Sequence, residues 1–269
     1  MIKADFHTHT NFCDGKNTPA QMVASAYAMG LTDYGISGHG YITSGEEFGM
    51  NPKVFEQYKS EIMKLKEQYK GKMNIYMGVE LDILGYLHEA DYTIGSCHCI
   101  EKNGEYVIVD DTEEKLCNAV NRLWNGDWYS MTGDYYELVS KTYDITKCDF
   151  IGHFDLITKF NQDNKHFDES NDIYLEQAYN AMKKLNSYGV PFEINTGAIS
   201  RGYRKEPYPN KILLMELYNM GGRIIINSDS HSAENICYKF DEATSIAKEC
   251  GFKTSLVLKP EGGFREVYL

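Results

Sequence analysis

The sequence predicts an α/β protein, a closed or nearly closed TIM-like barrel of about seven strand–helix units. Three observations carry that expectation. Strand-like runs alternate with helix-like runs through about seven units, the pattern of a parallel sheet with crossover helices. The helix-like runs open on capping residues or close on glycines, so the units have defined ends. No internal repeat, low-complexity tract or Pro/Gly-rich linker divides the 269 residues. Residues 1–269 are therefore read as one domain, a length at which α/β barrels commonly fold as a unit.

Residues 2–10 are the first strand. Thr18 then caps a helix with Pro19 at its first position, and Met22, Val23, Ala26 and Tyr27 share one face before Gly30 ends it. Residues 34–37 are the second strand, running into Gly38-His39-Gly40. Asn51 and Pro52 open an amphipathic helix to about Tyr69, with Val54, Phe55, Tyr58, Ile62 and Leu65 at helical spacing. Residues 74–82 form the third strand and 92–100 the fourth, the latter holding His98. Residues 101–148 are less regular and rich in Tyr and Trp, with helical patches near 113–124 and 133–144. They read as an elaboration on one side of the barrel, either a pocket wall or simple coverage. The fifth strand, 150–156, contains Gly152-His153. A helix over about 169–188, a strand at 191–196 and a helix over about 209–220 follow. The strand at 223–227 runs into Ser228-Asp229-Ser230-His231. A last helix, about 234–250, precedes a tail strand at 254–258.

Composition narrows the function. Net charge is −12 and the pI near 5.1, with no Lys/Arg-rich run. Duplex nucleic acid needs a basic footprint, so it is excluded as a partner, while a small phosphorylated substrate held by local cations is not. The first residues lack a secretory pattern, and no apolar stretch approaches the ~18 residues of a membrane span. Seven irregularly spaced cysteines fit reduced thiols, and a cytoplasmic location is expected. In Cys97-His98-Cys99, alternation along a strand turns both thiols away from His98, so they read as packing residues. Oligomeric state is not legible.

The chemistry sits at strand ends. In Asp5-x-His7-x-His9, period-2 spacing turns the three side chains to one side. Two such imidazoles can grip one metal ion, with a carboxylate beside them to fix their tautomer. His7, His9, His39, Glu80, His98, His153, Asp229 and His231 all fall at or just past the carboxyl ends of expected strands, the face where α/β barrels build active sites. Six of the chain's eight histidines are in that set, which random scatter would not produce. Only His88 and His166 are left over, in polar segments that need no role. Imidazole with carboxylate suits Zn, Mn or Fe, and one bridging carboxylate can hold two ions at the spacing used for in-line displacement. A bridging water, acidified towards neutral pH, would be a nucleophile for hydrolysis.

These residues, with Asp14-Gly15, resemble in order the motifs of the PHP (polymerase and histidinol phosphatase) family, from residue 3 to about residue 232. The resemblance implies a distorted seven-stranded barrel with two or three divalent metals. It implies His7, His9, Glu80 and Asp229 on one ion, and Glu80 bridging to a second held by His98 and His153. Asp14, His39 and His231 would hold a third; Asp-Gly is also an ordinary turn pair. Gly152-His153-Phe154-Asp155-Leu156-Ile157 with Lys159, Asn195-Thr196-Gly197 before Arg201, and the Gly262-Gly263-Phe264 tail resemble the stand-alone histidinol-phosphate phosphatases. That likeness implies hydrolysis of L-histidinol phosphate to L-histidinol and phosphate. The rival substrates are phosphotyrosine, a nucleotide or a phosphodiester, and the rival class is a metal-loaded binding module without turnover. Arg201 and Lys159 are the expected phosphate cations, Lys159 standing where this enzyme group often has arginine. Arg204 and Lys205 read as surface charges. His231 or Asp229 is expected to assist the leaving group, and Tyr41, Phe48 and Tyr203 are candidates to stack on an imidazole ring.

Overall fold

The computed structural model describes residues 2–42, 49–86 and 89–269. The chain opens with β1 (Ala4–Asp5), α1 (Pro19–Ala28), β2 (Asp33–Ile36), α2 (Pro52–Gln68), β3 (Asn74–Asp82) and β4 (Tyr92–Ser96). A hairpin of β5 (Cys99–Lys102) and β6 (Glu105–Ile108) and the helices α3 (Glu113–Leu123), α4 (Trp128–Val139) and α5 (Thr142–Thr146) precede β7 (Phe150–Ile151). Then come α6 (Asp172–Ser187), β8 (Phe192–Asn195), α7 (Gly197–Ser200), α8 (Lys211–Asn219), β9 (Ile224–Asn227), α9 (Phe240–Glu249), β10 (Thr254–Leu258) and β11 (Phe264–Tyr268).

Seven strands form one sheet in the order β1-β2-β3-β4-β7-β8-β9, each paired parallel with its neighbour. The seam closes beyond the strand ends. Thr8 bridges Ser230, the His9 amide donates to the Ser230 carbonyl at 2.8 Å, and the Phe6 amide donates to Asn227 Oδ1 at 2.9 Å. The result is a distorted (β/α)7 barrel. Strands buried on both faces read as apolar runs, as in the Ile224-Ile225-Ile226 stretch of β9. Tyr92 fills the inside of the barrel and donates to the Phe6 carbonyl at 2.5 Å. Gly35 and Gly78 make room for that ring, since a Cβ on either would lie 2.2 Å from it.

Local signals set the helix starts. Thr18 accepts from the Gln21 amide while the Gln21 side chain accepts from the Thr18 amide. Asn51 accepts from the Lys53 and Val54 amides.

Several expected boundaries move. The first strand is two residues long, because the chain leaves the ladder after Asp5 and rejoins it only at Thr8. The fourth strand breaks at Cys97 and His98: the His98 amide donates to Asp82 Oδ2 at 2.7 Å, and the chain turns off into the β5–β6 hairpin. The fifth strand stops at Ile151, and Leu156–Thr158 winds into a 3-10 turn. The patch near 133–144 is two helices, the first starting early at Trp128 because Asp127 caps it. The last helix starts at Phe240, not near 234, since Ala233–Asn235 is a separate 3-10 turn. The tail strand acquires an antiparallel partner, β11, through a turn in which Gly262 and Gly263 both take positive φ. That hairpin is pinned outside the barrel sheet, where Tyr76 donates to the Leu258 carbonyl and Arg265 pairs with Asp33.

Candidate metal centre

Glu80, near the carboxyl end of β3 and 1% exposed, is the hub. Its Oε2 lies 3.2 Å from His7 Nε2, 3.4 Å from His9 Nε2 and 3.0 Å from His39 Nδ1. Its Oε1 lies 3.3 Å from His98 Nε2 and 2.8 Å from His153 Nε2. Asp229 Oδ1 is 3.3 Å from His9 Nε2 and 3.8 Å from His7 Nε2. Asp14 completes the group, 3.6 Å from both His9 Nδ1 and His39 Nε2 and 3.0 Å from His231 Nε2. Alternation from β1 aims His7 and His9 inward, and His39 reaches Glu80 through a parallel bridge just past β2. Asp229 follows β9 at φ +50°, a left-handed conformation that aspartate tolerates better than most residues. Gly197 leaves the space this needs, because a Cβ there would sit 2.7 Å from Asp229 Oδ2.

The nine residues expected to share a site therefore converge, and more densely than three separate sets. Donor atoms lie within 4.8 Å of one another in four groups: His9, Asp14, His39 and His231; His7, His153 and Asp229; His7, His9 and Glu80; His39, Glu80 and His98.

Charge is redistributed inside the cluster. Burial opposes ionisation of Glu80, but His7, His39 and His98 outweigh it and hold its carboxyl well below the usual range. Burial likewise opposes charge on His7 and His39. Glu193, Glu80 and Asp229 push His7 up; Glu80 and Asp14 push His39 up. His98 rises to about 10 against its burial, through Glu80 and Asp82. His9 falls to about 3, driven by burial and then by the neighbouring His231 and His39. His7 Nε2 and His9 Nε2 are buried without a hydrogen-bond partner. A buried nitrogen left so costs ~1–3 kcal/mol, and both face carboxylate oxygens, so a cation is the group that completes them. The residues present fit divalent ions.

Support comes from carboxylates that the sequence reading did not single out. Glu193, fully buried on β8, places Oε1 2.7 Å from His7 Nδ1 and accepts the His153 amide on Oε2 at 2.9 Å. It takes the orienting role that the Asp5-x-His7-x-His9 spacing suggests for Asp5. Asp5 instead ties the seam, accepting from the Ser228 hydroxyl at 2.5 Å and the Cys237 amide at 3.0 Å, and burial raises its pKa to about 6. Asp82 Oδ2 stands 3.2 Å from His98 Nδ1. A signal existed: Glu193 and Asn195 alternate with Phe192 and Ile194, and Asp82 follows Glu80 by two, so both carboxylates share a strand face with site residues.

Arg201, just past α7, joins the centre. One nitrogen, Nη2, meets Asp229 Oδ2 at 3.0 Å; the other, Nη1, meets the Asp229 carbonyl at 3.1 Å and His231 Nδ1 at 3.0 Å. Lys159 is held differently. Its Nζ donates to the Asp110 carbonyl at 2.5 Å and carboxylate at 3.2 Å, and sits 5.0 Å from the Tyr203 ring. Asp110, Asp111 and Lys159 line a cavity of about 330 Å³ together with Asp14, His39 and His98. Arg204 is not a surface charge: its side chain is 8% exposed and forks onto Glu169 at 2.7 and 3.0 Å. Lys205 is exposed and pairs with Asp163. Tyr203 packs edge-on to Phe160 and Tyr41 stacks near Tyr86, while Phe48 and His88 lie outside the described residues.

The PHP domain model matches residues 5–197, and the chain belongs to the PHP domain family. A probable histidinol-phosphatase of Schizosaccharomyces pombe is 29% identical over 81% of this chain and 74% of its own length. Two crystal structures share the fold. One, from Listeria monocytogenes, has a TM-score of 0.78 at 21% identity and covers 89% of this chain and 99% of that one. The other, histidinol phosphate phosphatase from Lactococcus lactis complexed with zinc, L-histidinol and phosphate, has a TM-score of 0.72 at 22% identity over 95% and 96%.

Proposed function

We propose that this chain is a metal-dependent phosphomonoesterase that hydrolyses L-histidinol phosphate to L-histidinol and phosphate. One observation carries the reading: a single buried carboxylate, Glu80, faces five imidazoles at 2.8–3.4 Å with a guanidinium at the edge of the cluster. The names borne by the relatives supply the substrate. Two or three divalent ions, Zn, Mn or Fe, would be held by His7, His9, Glu80 and Asp229, by Glu80, His98 and His153, and by Asp14, His39 and His231. Bound there, such ions supply Lewis acidity towards a phosphate ester and acidify water near neutral pH.

The chain's own residues do the rest. Arg201 offers a planar fork that offsets charge on phosphate oxygens, and Lys159 adds a point charge from the cavity wall. An alkoxide leaving group needs a proton, and Asp229, held ionised beside Arg201, with His231 next to it, would orient the water that delivers one. The segment at about 101–148 supplies pocket wall through Asp110 and Asp111, which supports reading residues 1–269 as one barrel domain with an elaboration. Cysteines without disulfides fit a cytoplasmic enzyme.

The test is phosphate release by metal-reconstituted protein from histidinol phosphate, p-nitrophenyl phosphate, phosphotyrosine and a nucleoside monophosphate. Preference for histidinol phosphate, lost in His153→Ala, is expected. Weak release from all four would keep a PHP phosphoesterase and discard this substrate. Full metal content without any release would leave a binding module.

A further inference from the structure

We propose a second, thiolate-containing metal site away from the barrel mouth, formed by Glu113, Cys117 and His166 and suited to a zinc-class divalent ion. Glu113 and Cys117 stand one turn apart at the start of α3, so their side chains share a face. His166 reaches them from the loop before α6. His166 Nε2 lies 2.7 Å from Glu113 Oε1 and 4.0 Å from Cys117 Sγ, and the three donor atoms are within 4.8 Å of one another. A tetrahedral ion with bonds of ~2.0–2.3 Å sets its donors roughly 3.3–3.8 Å apart, so the side chains need shift by only about an ångström or less.

The imidazole is already aimed. Its ring stacks on Trp128 with centroids 4.5 Å apart and planes 20° apart, and its amide donates to Asn161 Oδ1 at 2.8 Å. Ordering that ring on binding therefore costs little. The donor set, one thiolate, one imidazole and one carboxylate with a fourth position open to water, selects zinc over magnesium or calcium, which prefer oxygen alone. Binding displaces the Cys117 thiol proton to solvent as the sulfur–metal bond forms. Lys165, now 2.5 Å from Glu113 Oε1, must swing away, which its 58% exposure permits; its charge keeps the site weaker than a four-ligand structural zinc.

The placement gives the site a consequence. Glu113 follows Asp110 by three residues and His166 follows Lys159 by seven. The Lys159–Asp110 pair and the His166–Glu113 pair are two rungs between the same two segments, one on the cavity and one outside. An ion on the outer rung braces the cavity wall without touching the candidate centre.

Cobalt substitution reads the site directly, because a cobalt–thiolate bond gives a near-ultraviolet charge-transfer band that imidazole and carboxylate do not. The band is expected in the wild type and in Cys13→Ser, the control for the thiol 3.6 Å from His9 Nδ1, and absent from Cys117→Ser. A band that survives in Cys117→Ser, or its absence from the wild type, overturns the proposal. Alkylation of Cys117 in the wild type, followed by mass spectrometry, stands clear of any folding defect in the variants. Added zinc should slow it at least tenfold, and an unchanged rate overturns the site.

Discussion

Glu193→Gln tests how the centre is built. The Glu193 carboxylate accepts four hydrogen bonds: His7 Nδ1 at 2.7 Å and Asn227 Nδ2 at 2.9 Å on Oε1, the His153 amide at 2.9 Å and Asn195 Nδ2 at 2.8 Å on Oε2. Glutamine keeps one acceptor oxygen and turns an NH2 towards two of those donors in either orientation. Flipping the asparagines gives no relief, because Asn227 Oδ1 already accepts from the Phe6 amide and Asn195 Oδ1 from the Gly197 amide. Two buried donors left unpaired at ~1–3 kcal/mol each predict a stability loss of about 2–6 kcal/mol. Loosening His7 predicts a further 10–100-fold loss of metal affinity, about 1.4–2.8 kcal/mol. Urea unfolding of the apo-protein measures the first, and metal retained across a buffered zinc series measures the second. An unchanged unfolding midpoint with affinity within twofold of wild type would refute the reasoning.

Three further outcomes follow from the geometry. Arg201→Lys keeps the charge but cannot span Asp229 Oδ2, the Asp229 carbonyl and His231 Nδ1 together, so kcat/KM for a phosphomonoester should fall about 10–100-fold; a change under twofold removes the fork from the reaction. In Asp110→Asn the carboxylate facing Lys159 is gone, and KM should rise several-fold for an ammonium-bearing ester while p-nitrophenyl phosphate is spared; equal effects on both deny Asp110 a part in recognising the amine. Asp155 is buried, with one oxygen unpartnered and its pKa raised from 3.8 to about 7. A raised carboxyl contributes stability that is full below the unfolded value and is lost as pH rises through 7. Asp155→Asn should therefore stabilise the fold at pH 8 by up to about 4 kcal/mol, with the gain widening from pH 6 to pH 8; parallel pH profiles for the two proteins would contradict this.

Much of the molecule is written locally. Thr18-Pro19 and Asn51-Pro52 fix helix starts whatever surrounds them, because a cap satisfies amides two or three residues away. The alternation of His7 and His9, and the position of Glu80 and Asp229 at strand ends, depend on backbone period and strand order, so their convergence is legible before any contact is known. Residues whose work lies across the sheet are another matter. Glu193 meets His7 from 186 residues away, and in sequence it is one acidic residue in an apolar strand. The break after β4 comes from the His98 amide choosing Asp82 over the ladder, and the tail hairpin forms only because Tyr76 and Arg265 give it a surface to lie on. Lys159 and Arg204 look alike as charges after a strand. Only the fold gives one to Asp110 at the cavity and the other to Glu169. Sequence alone determined the alternation of barrel strands and helices and the strand-end groups at the mouth, since these follow from short-range periodicity, while the β5–β6 and β10–β11 hairpins did not show in it. Tertiary structure decided which carboxylate orients which imidazole and which cation faces the cavity, since burial makes every buried charge find a partner wherever the chain brings one within reach.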